Sequence, residues 1–400
     1  MLQLTIAERN KGGYSKGLFW ANMPFKPKNN LDFLGKLLYR TIYRYADYPF
    51  LIYTADRYID FSVFYNNQKY FKKIKRLKKL QIFLYEPLSL YTGDKIYTNG
   101  YFSEFHSDFN GDIGSEELDS ITELQERTGL QITVNTCDYN VQQLLQEKYN
   151  KIKLVCNDVF IKTNNVCHRE IFTGKEKIIK KFWCGNGRYA PHRNLVAAYL
   201  QDKPGNYSWH HKANLEDIKN LNWPEENLPW DYLTEANKKL INNLPLIDVK
   251  SKHIQEVADV THCHIPQMPQ DLDDRIYNSY RESFCAIVNE TRFAAPTGNI
   301  SEKVFFAISF RTPFVLVACP NSLEYLKKLG FKSFDFLWDE SYDKEQNHSK
   351  RLEKIFKIID QINSYSIEEL NQIYFSYEVQ AVVSYNRRLL EKFPMTEIVL

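Results

Sequence analysis

The sequence lacks any apolar run near the ~20 residues needed to span a bilayer, so no membrane-crossing segment is expected. Its first stretch, MLQLTIAERNKGGYSKG, has no basic region followed by an apolar one, so no secretory signal is expected. Cysteine is sparse: seven residues, at 137, 156, 167, 184, 263, 285 and 319, and no C-x-x-C pair. An odd, scattered set argues against a disulfide framework or a zinc ribbon, three of these thiols lie in apolar strand-like runs where they pack as small hydrophobes, and the expected compartment is a reducing cytoplasm. There is no G-x-G-x-x-G, hence no sign of a dinucleotide fingerprint, and no H-E-x-x-H. Excess charge is also missing: 52 basic against 49 acidic residues leave +3, too little to require a nucleic-acid partner but compatible with a local basic patch.

What is present is ample core material, with 44% apolar residues, 27 tyrosines and 26 phenylalanines. A chain of 400 residues with that content implies two or three domains and no extensive disorder. The first half alternates candidate strands (50–54, 81–85, 131–136, 153–156) with candidate helices (31–45, 67–79, 116–128, 140–148). That alternation predicts a parallel sheet with Rossmann-like winding. The text turns polar and charged at 163–181, where a domain boundary is expected.

The stretch from 289 to 343, with the strand that leads into it, is the most informative. An apolar strand, 284–288, runs into a Pro/Gly loop, 293–298, and a helix opens near 299–301. Asn299 and Glu302 have capping-box spacing, while Val304, Phe305, Ile308 and Ser309 give the helix a buried face. A second apolar run, 314–318, completes a β–loop–α–β unit, whose loop and helix start lie where open α/β sheets bind ligands. A helix start offers N–H groups and partial positive charge to a phosphate, and Lys303 adds a full charge. The second half opens with KFWCGNGRYAPHRNLVAAYLQ (181–201): a strand at 182–184, a loop, then a helix from His192.

Glu302-Lys303 on such a helix, followed by Pro-Phe entering a strand, resembles the donor-binding half of α1,3-fucosyltransferase-like GT-B glycosyltransferases. With GF-x-x-F and DESYD behind it, the stretch is also similar to glycosyltransferase-like proteins encoded by bacteriophages. The 181–201 block carries the second resemblance, a strand followed by Arg193-Asn194 at a helix start. Together the two blocks cover about a quarter of the chain. The resemblance implies a GT-B fold of two facing Rossmann-like α/β domains: an acceptor-side domain over 1–178 and a donor domain over 179–375. A C-terminal helix within 376–400 would be placed to cross back to the first domain. It implies sugar transfer from a nucleotide sugar, a co-substrate rather than a cofactor, to an acceptor hydroxyl. The displacement would be metal-independent and inverting. Arg193 and Lys303 are then expected on the diphosphate and Glu302 on the ribose, with Arg188, Asn186, Thr297, Gly298 and Asn299 completing the donor site. Plainer roles for the same residues are a capping box closed by Glu302 and a solvated Lys303.

In the first half, IFLYEPLSLY (82–91) ends an apolar strand at Glu86, stopped by Pro87. A carboxylate there faces the ligand crevice of a doubly wound domain, and the placement resembles the general-base segment of fucosyltransferases, although the surrounding residues differ. Asp108, within the aromatic and acidic loop 100–114 beside His106 and Asp112, is the second candidate base. The early loop 10–17 offers glycine-exposed amides to an acceptor. The basic run QKYFKKIKRLKKL (68–80) places Phe71, Ile74 and Leu77 at helical spacing, with Lys72, Lys73, Lys75 and Lys79 outside that stripe. These lysines are either a solvated face or a surface for a polyanionic acceptor such as double-stranded DNA with a hydroxymethylated base. A surface glycan or lipid-linked sugar is the alternative acceptor, and a non-catalytic DNA- or glycan-binding protein of the same fold the alternative function. The histidines of 208–211 and 261–266 match no metal spacing, so no metal site is expected. The D-x-D of 271–274 reads as a helix start rather than a cation site.

Overall fold

The computed structural model describes residues 19–20, 50–54, 61–75, 79–84, 88, 90–92, 95–97, 112–156, 175–186, 191–200, 202–208 and 274–392. Elements are numbered through these residues. The chain divides into two compact units, residues 1–96 with 111–157 and 397–400, and residues 97–110 with 158–396. Each carries a sheet that is parallel or nearly so, which is the mixed α/β class expected from the sequence.

In the first unit, β1 (Phe19–Trp20), β2 (Phe50–Thr54), β3 (Lys79–Leu84), β7 (Gln131–Thr136) and β8 (Lys153–Cys156) form one sheet in that order. Only the β1–β2 pair is antiparallel. Leu80, Ile82 and Leu84 of β3 and Ile132 and Val134 of β7 are buried at alternate positions. Between β3 and β7 lie β4 (Leu90–Thr92), β5 (Lys95–Tyr97) and β6 (Ile113–Ser115), which form a small separate sheet. Two short helices, α1 (Ser62–Asn66) and α2 (Gln68–Ile74), precede β3. The basic stretch is therefore not one helix over 67–79, because Lys79 begins the strand. The helix α3 (Glu116–Thr128) runs as expected. Ser115 caps its start, Glu116, Glu117 and Asp119 meet its positive end, and Gly129 ends it at a φ of 70°. A short α4 (Val141–Leu145) leads to β8.

The second unit holds β9 (Lys180–Gly185), β10 (Gly205–Ser208), β11 (Ser283–Asn289) and β12 (Phe314–Val317), all parallel, in the order β10-β9-β11-β12. All seven residues of β11 are buried, as befits a strand covered on both faces. The helices are α5 (Pro191–Leu200), α6 (Asp274–Glu282), α7 (Glu302–Ser309), α8 (Ser322–Lys328), α9 (His348–Ser364), α10 (Ile367–Tyr374) and α11 (Tyr377–Lys392). α7 begins with Ser301 as its cap, not Asn299: the Ser301 hydroxyl accepts the Lys303 N–H.

Side chains that grip distant backbone hold these elements together. Asn371 of α10 pairs with both the N–H and the carbonyl of Ile178, each at 2.8 Å. Asn386 of α11 does the same to Lys332, again at 2.8 Å on both sides. Each amide thus completes a backbone pair that no strand supplies. Arg387 donates to the Ser309 carbonyl at the end of α7 at 2.9 Å, which fixes α11 on α7. The DESYD block also works structurally. Glu340 accepts the Phe334 N–H and pairs with Lys327, and the buried Tyr342 hydroxyl accepts the Leu316 N–H from β12. Asp343 takes the N–H groups of Leu323 and Glu324 at 2.8 and 3.0 Å, capping α8 from about twenty residues away. Among the described residues no helix is long and apolar enough to cross a membrane.

Asp343→Ala leaves two donors of α8 without their acceptor and is expected to reduce stability by about 1–2 kcal/mol, as for other lost caps. The check is a lower denaturant midpoint at unchanged slope, with Asp343→Asn, which keeps one acceptor, falling between. An unshifted midpoint for Asp343→Ala would show that the cap contributes nothing.

Candidate functional site

The order β10-β9-β11-β12 makes the gap between β9 and β11 the point where the winding reverses. Loops leaving the carboxyl ends of two such strands part there, and in doubly wound sheets this is where ligands enter. One loop follows β9 to α5, whose first residue, Pro191, is suited to a helix start. The other follows β11 through 290–301 to α7.

Asparagines at the two strand ends join across the gap. Asn289 donates to the Asn186 side chain at 2.9 Å, and both amides approach the buried Cys184 sulfur. Burial pushes that thiol up to about 12, so it remains a neutral packing group.

Glu290, the next residue, joins the start of α5 to the start of α7. Its carbonyl accepts His192 Nε2 at 3.0 Å and Arg193 Nη2 at 3.1 Å, both from α5. Its carboxylate, 1% exposed, accepts the Ser301 N–H at 3.0 Å and the Ser301 hydroxyl at 2.5 Å. Lys303 Nζ stands 3.7 Å from the same carboxylate and donates to Ser301 Oγ at 2.9 Å. Two cations from separate segments thus meet on one residue at the switch point.

The 290–301 loop is held from the other side by Arg351 of α9. This fully buried guanidinium lies 4.2 Å from the Phe293 ring centroid and donates to the carbonyls of Phe293 and Glu345. His192 stacks against the same ring at 5.3 Å, so Phe293 sits against an imidazole and a guanidinium. Thr297, Gly298 and Asn299 are buried in this loop, and the Thr297 carbonyl accepts the Cys319 thiol.

Of the expected donor residues, Arg193, Asn186, Thr297, Gly298, Asn299 and Lys303 therefore lie on or beside the two loops of one switch point. Arg193 is 5% exposed and bonded to backbone rather than standing at an open rim. Arg188 and the side chain of Glu302 lie outside the described residues, as do Glu86, His106, Asp108, loop 10–17, helix 31–45 and the Lys73 side chain. Sequence reading missed His192, Phe293, Arg351 and Glu290. Only Glu290 carried a readable signal, an acid directly after an apolar strand, the same signal that selected Glu86.

In the first unit, β3 and β7 end side by side, and the buried Asp138 carboxylate beyond β7 accepts the Leu88 N–H at 2.7 Å. Asp138 thereby ties Leu88 to the carboxyl edge of the sheet. Asp112 is exposed and pairs with Lys148 at 2.8 Å. Lys72 and Lys75 of α2 and Lys79 of β3 are exposed. Among the described residues no group of three His, Cys, Asp or Glu side chains is placed to hold a metal ion.

No protein-family model and no curated protein matches the chain. Among solved structures, the DNA-modifying enzyme β-glucosyltransferase, crystallised with and without uridine diphosphoglucose, is similar at 10% identity and a TM-score of 0.33, over 82% of this chain and 74% of that one. Phage T4 BGT in complex with UDP and Mn²⁺ is similar at 10% identity and a TM-score of 0.31, over 82% and 72%.

Burial, and then the Arg193 charge beside it, depress His192 from its ordinary 6.5 to about 3. A carbonyl only accepts, so Nε2 carries the proton of the neutral ring. The unfolded chain takes up a proton below about 6.5 that the folded chain refuses until about 3. Stability is therefore full above that window and falls as pH drops through it, by up to about 1.4 kcal/mol per pH unit. Denaturant unfolding at pH 7 and pH 5 is expected to show this loss in the wild type and a smaller one in His192→Gln. Equal losses would contradict a buried neutral histidine.

Proposed function

We propose that this protein is a glycosyltransferase that moves a sugar from a nucleotide-sugar donor to an acceptor hydroxyl. The observation that carries the reading is the convergence of Arg193 and Lys303 on Glu290 at the switch point of a parallel sheet. Breaking the sugar–phosphate bond leaves a diphosphate whose growing charge must be met. Guanidinium and ammonium groups fixed beforehand stabilise that charge without rearranging during the reaction. The N-terminus of α7 adds its dipole at the same place. Glu302, next to Lys303, is assigned to the ribose hydroxyls.

In this reading Glu86 is the general base. It takes the acceptor proton as the oxygen attacks the sugar carbon, the bond to the diphosphate breaks, and a single displacement inverts that carbon. The diphosphate charge is met by protein cations, with no metal required, and the sugar nucleotide is consumed rather than retained. The acceptor is assigned as a hydroxymethylated base of double-stranded DNA in a cytoplasmic setting, supported by the exposed Lys72, Lys75 and Lys79. A base within a duplex has to be flipped out to react.

Lys303→Ala is expected to weaken nucleoside-diphosphate binding about tenfold or more, since hydrogen bonds to charged groups contribute about 1.5–3 kcal/mol. Calorimetry over a panel of diphosphates measures this, and unchanged affinity for every member would remove Lys303 from the site. Glu86→Gln is expected to lower turnover about 10²–10⁴-fold while donor binding persists. Near-normal turnover in Glu86→Gln together with its loss in Asp108→Asn would transfer the role to Asp108. Sugar incorporation into hydroxymethylated duplex DNA, compared with a glycan or a lipid-linked sugar, tests the acceptor. Labelling only of the latter two overturns the DNA assignment.

A further inference from the structure

Glu290 does to α7 what an anionic ligand does at a helix start. It accepts a backbone N–H, accepts the cap hydroxyl, and neutralises a neighbouring cation. The carboxylate is 1% exposed, so solvent screens its charge weakly. The 3.7 Å separation from Lys303 Nζ is beyond hydrogen-bonding distance, while Nζ bonds Ser301 Oγ at 2.9 Å. Lys303 is therefore held over its own helix start, between the Ser301 cap and the charge of Glu290.

We propose that Glu290 is a positioning residue that competes with the ligand's phosphates for Lys303. The inference rests on the diphosphate reading of this site. In the ligand-free protein the Glu290 carboxylate keeps Lys303 at the switch point. A bound diphosphate takes over part of that charge, and Glu290 reclaims it when the diphosphate leaves. The device gives up some diphosphate affinity and favours release of the spent nucleotide. A residue that served only to anchor the loop would act in the opposite sense, because loosening the loop spreads Arg193 and Lys303 apart and weakens anion binding.

The test is calorimetric titration of the full chain with inorganic pyrophosphate. Glu290→Gln keeps an acceptor for the Ser301 N–H and removes the charge, and is expected to bind pyrophosphate about tenfold more tightly than wild type. Glu290→Asp, which keeps the charge, is expected to show no tightening. In a Lys303→Ala background the gain from Glu290→Gln is expected to disappear, since the two side chains act through one another. Thermal melts identify any variant that fails to fold, and the charge-retaining Glu290→Asp then serves as the folded reference. Unchanged or weaker binding by folded Glu290→Gln overturns the proposal, and so does a gain that persists without Lys303. Both results leave the diphosphate site standing. A wild-type protein that binds no pyrophosphate would sink the diphosphate reading itself, and the competition with it.

Discussion

A strand buried along its whole length must pass its last polar groups to partners as it leaves the sheet, because an unpaired amide or carboxylate in such surroundings costs several kcal/mol. β11 meets that constraint through Glu290. Its N–H donates to the Val317 carbonyl, which extends the pairing with β12 by one residue. Its carbonyl takes two side chains of α5, and its carboxylate takes the cap and the lysine of α7. The same satisfaction of buried groups that ends the strand also brings two cations together at the sheet's switch point. Stability and the candidate site thus share one set of bonds.

The rest of the second unit repeats this pattern of side chain gripping distant backbone. Asn371 and Asn386 each complete both hydrogen bonds of one backbone unit, and Arg351 gathers carbonyls from two segments while lying fully buried. Such bonds give little directionless attraction but fix position, since each is satisfied in only one geometry. They explain how a loop as irregular as 290–301 is held in place: Arg351 and His192 bracket Phe293, and Glu290 closes the loop onto Ser301.

Elements with strong local signals were the most legible. The helix of 116–128 was readable residue for residue because acids, apolar spacing and a terminal glycine agree. The strands of 131–136 and 153–156 were equally plain. The basic stretch misled at its end, because a run of lysines and apolar residues fits helical spacing even where Lys79 already belongs to a strand. Asn299 lost the cap to Ser301 because Ser301 is itself held by Glu290, a contact with no trace in the local spacing. The DESYD block, conspicuous as text, turned out to cap α8 and brace β12.

By itself the sequence determined the α/β class, the strand–loop–helix units, and Arg193 and Lys303 as cations at two helix starts. These are local properties, written in period, capping residues and apolar runs over ten or twenty positions. Only the tertiary structure decided that the two helix starts flank one switch point, that Glu290 joins them, and that Arg193 is buried against backbone instead of standing free at a rim. The reason is that residues about a hundred positions apart become neighbours only through strand order and register, and neither is encoded in any single stretch of the chain.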